Sequence, residues 1–232
     1  MKQVIMNPLP NIEINIPLRN SPPAILHALD LVVRHLTSCL VAAISLIILS
    51  PLFLGIAIAI RRGSPGPVFY RGQRVGRNGH VFGMLKFRTM YEKPESYQGA
   101  PITAQDDPRV TLLGKFLRDT KLNELPQLWN VLVGDMDLVG PRPEDPDIAA
   151  GWSKEVRDVL LSVRPGVTSP ASITYRDEET FLSSSSVMED YMQTILPTKL
   201  RLDMQYVRNR TFLTDWDVIF WTAIVLLPKV RK

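Results

Sequence analysis

The chain is poor in the residues that cross-link or metallate a fold. Cys39 is its only cysteine in 232 residues, which excludes a disulfide framework within the chain and a cysteine metal cluster. Its three histidines, His27, His35 and His80, show no zinc-ligand spacing. Internal repeats and low-complexity tracts are absent. Charged residues make up only 22% and the mean hydropathy is +0.03, too apolar for a disordered chain. What is present is a basic excess: the net charge is +4 and the pI about 9.3. That balance favours a polyanionic partner, whether phosphates, an anionic membrane face or nucleic acid. Five of the nineteen prolines fall within residues 1–26, with no lasting period. Residues 1–28 are therefore expected to form a mobile tail. They do not read as a signal peptide, because the apolar run starts too late and no small-residue cleavage pattern follows it.

From Leu36 to Ile60 the chain runs 25 residues without a charge. About 20 apolar residues suffice to cross a bilayer, so this is a membrane segment. Arg34 and His35 precede it, and Arg61 and Arg62 follow at once. Seven Lys/Arg and no acid lie between Arg61 and Arg88, so the positive-inside rule pulls both ends to the cytoplasm. A straight spanning helix cannot satisfy that, whereas a re-entrant one can. Ser50 and Pro51 supply the break: Pro51 cannot donate to the Ile47 carbonyl, and the Ser50 hydroxyl can bond back to Leu46. A kinked but spanning helix is the competing reading.

Beyond the membrane segment the pattern changes. Val68–Arg71 and His80–Thr89 read as two strands joined at Asn78-Gly79, whose residues tolerate positive φ. The second strand delivers Lys86 and Arg88 to one face. Residues 90–105 read as a polar loop. Thr111 can cap a helix over 112–120 with Leu112, Leu113, Phe116 and Leu117 as one stripe and Arg118 elsewhere on its surface. After Pro143, residues 151–162, 187–196 and 197–210 read as helices, 171–175 as a short extended piece and 183–186 as a loop. Residues 216–227 are apolar but too short to span, which leaves an in-plane and a core helix equally open.

The densest stretch is Lys121–Pro143, KLNELPQLWNVLVGDMDLVGPRP. Asn123 is placed to cap a helix whose first turn is Glu124, Leu125 and Pro126. A helix N-terminus offers free N–H donors and partial positive charge to a phosphate. Read without context, it is equally a capped helix followed by a turn.

Taken together, these pieces resemble the bacterial sugar transferases, the small monotopic polyprenyl-phosphate phosphoglycosyl transferases. The matching residues are Ser50-Pro51, Lys86-Phe-Arg-Thr-Met90, Asp107-Pro-Arg-Val-Thr111 with Gly114, Leu117-Arg118, Leu122 through Pro143, and Arg164-Pro-Gly166. The resemblance implies an α+β protein with a re-entrant membrane helix (29–60) and a compact, mostly helical cytoplasmic domain (61–232). That domain would carry a small β-hairpin and lie on the interface at the cytoplasmic face of the bacterial inner membrane. It implies transfer of a sugar-1-phosphate from a UDP-sugar to undecaprenyl phosphate with release of UMP and with Mg²⁺, as the first membrane step of exopolysaccharide or other glycan assembly. A homodimer is an open possibility.

In the family an Asp-Glu pair does the chemistry: the aspartate is the nucleophile and the glutamate helps hold the metal. Here the pair falls on Asn123-Glu124. Arg118 and Arg142 match positions expected near phosphates, and Lys86 and Arg88 match basic family positions. A carboxamide cannot attack phosphorus as a carboxylate does. Three explanations stand open: another carboxylate (Glu124 or Asp119), direct transfer without a covalent enzyme intermediate, or a catalytically silent relative acting as a carrier-lipid or assembly partner. Asp135 and Asp137 are nearby in sequence, and Asp137 is a further metal-ligand candidate. A nucleic-acid partner is not expected, since the basic excess hugs the membrane segment and lacks interleaved aromatics.

Overall fold

A computed structural model of the protein describes residues 24–94, 96, 102–103, 107–178, 182 and 187–226, with side chains from residue 29 onward. Its first element, α1 (Ala24–Gly63), is one helix of 40 residues with Pro51 inside it. At about 1.5 Å per residue that is roughly 60 Å, twice a hydrocarbon core of about 30 Å. The helix begins at Ala24, inside the segment expected as a tail, whose remainder lies outside the described residues. It is not interrupted at Ser50-Pro51. The Ser50 hydroxyl donates to the Ile47 carbonyl at 2.8 Å rather than to Leu46, so it occupies the acceptor that Pro51 leaves vacant.

One long stripe of α1 is packed against the rest of the chain. Ala42, Leu46 and Leu49 join Phe82, Met84, Leu128, Val131 and Met136. Further along, Phe53, Ile56 and Ile60 join Phe87 and Leu117. Leu36, Leu40, Ile44, Ile47, Ile48 and Leu54 on its other faces are exposed. Polar ties hold both ends. Near the start, Arg34 pairs with Asp30 and with Asp215, and His35 Nδ1 lies 2.7 Å from Asp137 Oδ1. At the far end, Arg88 donates to the Ser64 and Pro65 carbonyls.

After α1 come β1 (Phe69–Val75) and β2 (Val81–Phe87), antiparallel, with Phe69 opposite Phe87 and Val75 opposite Val81. The turn between them holds Asn78 at φ 58° and Gly79 at φ 79°, as the hairpin requires. Next is α2 (Leu112–Asp119), whose N-cap Thr111 accepts a hydrogen bond from Gly114 N at 2.8 Å. Its expected apolar stripe divides: Leu117 is buried while Leu112 and Phe116 are exposed. A short 3₁₀ turn, Leu122–Glu124, leads to α3 (Gln127–Leu132). Buried Asn130 on α3 acts as an extra strand residue: its Nδ2 donates to Gly83 O and its Oδ1 accepts from Leu85 N, both at 2.9 Å.

The motif stretch then forms β3 (Asp137–Val139), and α4 (Pro146–Ala150) and α5 (Lys154–Leu160) carry the chain to β4 (Gly166–Thr168). The two strands pair in parallel, Asp137 with Gly166 and Val139 with Thr168, a second sheet that the sequence pattern did not reveal. A Cβ on Gly166 would lie 2.1 Å from Gly140 N, so only glycine permits this approach. Residues 171–175 are helical, not extended: α6 (Pro170–Thr174) has Ser169 as N-cap and Pro170 in its first turn. Last come α7 (Val187–Asp190), a π-helical turn (Tyr191–Ile195), α8 (Leu196–Asn209) and α9 (Phe212–Leu226). The helix expected from Pro197 starts one residue earlier, at Leu196, and Pro197 sits in the first turn of α8, where its missing N–H costs nothing. The serine run at 183–186 and most of the loop at 95–106 lie outside the described residues. Over the described residues the fold is mixed and mainly helical, with two small two-stranded sheets and one long apolar helix.

Candidate active site

Glu124 is the centre of the site. It sits at the end of the 3₁₀ turn, entered from Lys121 in the left-handed conformation at φ 58°. Lys86 reaches it from β2, with Nζ 2.8 Å from Oε1. Arg142, from the Gly-Pro-Arg-Pro tail after β3, clamps both of its oxygens, with Nη2 to Oε1 at 2.8 Å and Nη1 to Oε2 at 3.2 Å. The backbone N–H of Arg142 is itself fixed by buried Asp203 at 3.0 Å. Burial would raise the Glu124 carboxyl, but the charges of Arg142 and Lys86 outweigh it and hold it well below its ordinary value. Glu124 in turn raises Arg142, against the opposing effect of burial.

Asn123 is buried, and its Oδ1 has no hydrogen-bond partner among the described residues. It does not cap α3. Pro126 occupies the capping position, with no side-chain bond. The reason is local: an Asn123 cap would need the N–H of Leu125 or of residue 126. The first is bonded to Leu122 O at 3.3 Å, and proline has none.

These residues line a cavity of about 370 Å³. Eight of its lining side chains are cations (Arg74, Lys86, Arg88, Arg109, Arg118, Lys121, Arg142 and Lys199) against four acids (Glu92, Glu124, Glu144 and Glu178). Such an excess suits an anionic ligand with several charges. Arg118 Nε donates to Thr89 Oγ1 at 2.9 Å on its wall. Arg88 lines it too, but its guanidinium is engaged on the carbonyls that end α1. Of the basic residues expected at phosphates, Lys86, Arg118 and Arg142 therefore face the cavity chemistry, and Arg88 ties α1 to the domain.

The other carboxylates fall elsewhere. Asp119 is exposed and outside the cavity. Asp135 accepts from Asn130 at 3.2 Å, and Asp137 faces His35 on α1. The cavity also holds a cluster that sequence reasoning missed. Buried Lys199 of α8 lies 2.9 Å from Glu178 Oε2 and 3.1 Å from the Tyr191 hydroxyl, which donates to Glu144 at 2.5 Å. No local pattern marks it, since its members come from four separate segments. A second, mainly apolar cavity of about 170 Å³ adjoins the first.

Comparison with known proteins identifies the family of the chain. The family model described as bacterial sugar transferase matches residues 29–229. The chain belongs to the bacterial sugar transferase family. Among its relatives is the exopolysaccharide production protein ExoY of Sinorhizobium fredii, 36% identical over 197 residues, covering 79% of this chain and 80% of the relative. The UDP-glucose:undecaprenyl-phosphate glucose-1-phosphate transferase of Klebsiella pneumoniae is 34% identical over 90% of this chain but only 42% of its own length. An undecaprenyl-phosphate galactose phosphotransferase of Salmonella typhimurium is 37% identical, over 79% and 38% respectively. This bacterial sugar transferase thus shares its matched region both with relatives of its own size and with longer ones.

Proposed function

We propose that this bacterial sugar transferase moves a sugar-1-phosphate from a UDP-sugar to undecaprenyl phosphate, releasing UMP, as the first membrane step of exopolysaccharide or other glycan assembly. The observation that carries the reading is Glu124, clamped by Lys86 and Arg142 inside a cation-rich cavity. A diphosphate-linked sugar carries the charge that such a wall neutralises, and fixed cations cost no reorganisation when charge shifts during transfer. The names of the relatives, which include glucose, galactose and N-acetylgalactosamine phosphotransferases, support the same class. Among the described residues no cluster of three or more His, Cys, Asp or Glu side chains forms a ready metal cage. Mg²⁺ belongs to the proposal with Glu124 and the unpartnered Asn123 Oδ1 as its protein ligands, since this ion usually takes one or two protein oxygens and fills out with phosphates and water. Bound there, it would neutralise charge on the diphosphate.

The membrane placement follows the same reasoning. Arg34 and His35 near the start of α1 and Ser64 and Pro65 at its end are all tied to one polar domain. A spanning helix would put those ends on opposite sides of the bilayer, so both ties support a re-entrant, monotopic arrangement in which α1 bends at Pro51 without being broken there. Exposed Leu112, Phe116, Trp129, Val133, Leu213, Trp216 and Phe220 supply apolar contacts for an interfacial seat. The positive-inside rule puts that seat on the cytoplasmic face of the inner membrane. In a Cys39→Ser background, Leu29→Cys and Arg62→Cys should both resist an impermeant thiol reagent added to sealed cells and both react after lysis. Labelling of either from outside would refute re-entry.

Turnover should also depend on Lys86. Burial pushes its ammonium down to about 8, with Glu124 opposing and Arg142 adding to the drop. Between about 8 and the ordinary 10.5 the folded chain has released a proton that the unfolded chain still holds. This group's contribution to stability therefore rises with pH in that window, while Glu124 loses one of its two cations. Transfer is expected to decline above pH about 8 without a matching loss of thermal stability. Lys86→Arg, which stays charged, should carry the plateau to higher pH. Rate–pH profiles alongside thermal melts check both.

Asn123 favours a second reading, a non-catalytic relative that holds carrier lipid or assembly enzymes at the membrane. A radiolabelled UDP-sugar assay with undecaprenyl phosphate separates the two.

A further inference from the structure

We propose that this chain transfers the sugar phosphate in a single displacement, with donor and acceptor bound together in two cavities that meet at Lys121, Glu124 and Arg142. No covalent phosphosugar forms on the protein. This rests on the transfer reading above and adds its mechanism and the place of the acceptor.

A covalent route needs a carboxylate free to attack phosphorus, and the described cavity residues do not offer one. Asn123 is an amide. Glu124 has both oxygens engaged by Arg142 and one of them also by Lys86. Glu178 is held by Lys199, and Glu144 accepts the Tyr191 hydroxyl. Glu92, partly exposed, stands 4.0 Å from Arg88. A carboxylate whose lone pairs are engaged by cations is a poor nucleophile.

A single displacement instead needs room for both substrates at one point. The polar cavity and the adjoining apolar one share Lys121, Glu124, Arg142, Glu178 and Lys199. The apolar one is walled by Leu125, Leu128, Val167, Ile173 and Val225 and measures about 170 Å³. That is below the roughly 300–1,000 Å³ of sites that enclose a whole drug-sized ligand, so it admits only the phosphate-proximal units of a polyprenyl chain. Leu226 of α9, which lines this cavity, is itself exposed and leaves an apolar way out for the remainder of the chain. Lys121 lines both cavities, and no described residue forms a side-chain hydrogen bond or ion pair with it, which suits it to the acceptor phosphate. In the step, a non-bridging oxygen of undecaprenyl phosphate attacks the sugar-bearing phosphorus of the UDP-sugar. A new P–O–P bond forms, the bond from that phosphorus to the bridging oxygen breaks, and the bridging oxygen leaves with its electron pair on UMP.

The test uses the full chain in nanodiscs with Mg²⁺, undecaprenyl phosphate and UDP-glucose, UDP-galactose or UDP-N-acetylgalactosamine. Initial rates with both substrates varied should give intersecting reciprocal plots. Radiolabelled UMP should not exchange into UDP-sugar without acceptor, and the intact mass should not change. Val225→Trp, which fills the apolar cavity, should raise the acceptor KM on the order of tenfold or more and leave the donor KM unchanged. Parallel plots, acceptor-independent exchange or a phosphosugar adduct would overturn the single displacement and leave the transfer reading standing. An unchanged acceptor KM in a folded Val225→Trp would overturn the assigned lipid site. Absence of transfer with all three donors would overturn both readings.

Discussion

Glu124→Gln is expected to reduce transfer by on the order of 10³-fold or more. The substitution keeps the shape of the side chain and one acceptor oxygen, and removes the charge that Lys86 and Arg142 converge on. Two cations then face one another in a site where burial weakens screening by water. Removing one member of a buried ion pair costs about 3–5 kcal/mol of stability, so a lower melting temperature is expected along with the lost activity. The double variant Glu124→Gln/Arg142→Gln separates the two effects. It removes one of the stranded cations and should recover much of the melting temperature, with no recovery of transfer. Recovery of both would reduce Glu124 to a structural counter-ion.

Asn123→Asp is expected to change what the protein carries during turnover. The variant adds a carboxylate where Oδ1 has no partner, next to a cavity wall dominated by cations. Incubated with UDP-sugar and no acceptor, it should gain the mass of one sugar phosphate and release one UMP, while the parent chain gains nothing. If the parent transfers directly, steady-state turnover should shift by no more than about tenfold. A rise of about 10⁴-fold or more would mark the parent as silent.

How much of this was readable beforehand divides along physical lines. The long apolar helix, the Asn78-Gly79 hairpin and the Thr111 cap were legible, because each is set by nearby residues. The Asn123 cap failed because a cap depends on which N–H groups remain free, and Pro126 removes one. The helix at Pro170–Thr174 was signalled by Ser169 followed by proline, a cap and first-turn pair that reads equally as a turn. Arg88 pairs with carbonyls just past the end of α1, more than twenty residues away, and β3 finds β4 across two intervening helices. The Lys199 cluster joins side chains from four segments. Such long-range pairings leave no local period, so the site's centre at Glu124 and Arg142 could be named while its far wall could not.

The most direct measurement is the movement of label from nucleotide to lipid. Full-length protein in nanodiscs with undecaprenyl phosphate and Mg²⁺ would be given radiolabelled UDP-glucose, UDP-galactose and UDP-N-acetylgalactosamine in turn. With at least one donor, label should pass into the lipid extract with one UMP released per lipid-linked sugar, and Glu124→Gln should leave it in the aqueous phase. Label that stays aqueous for every donor, or passes into lipid equally well in Glu124→Gln, would contradict a transferase centred on Glu124.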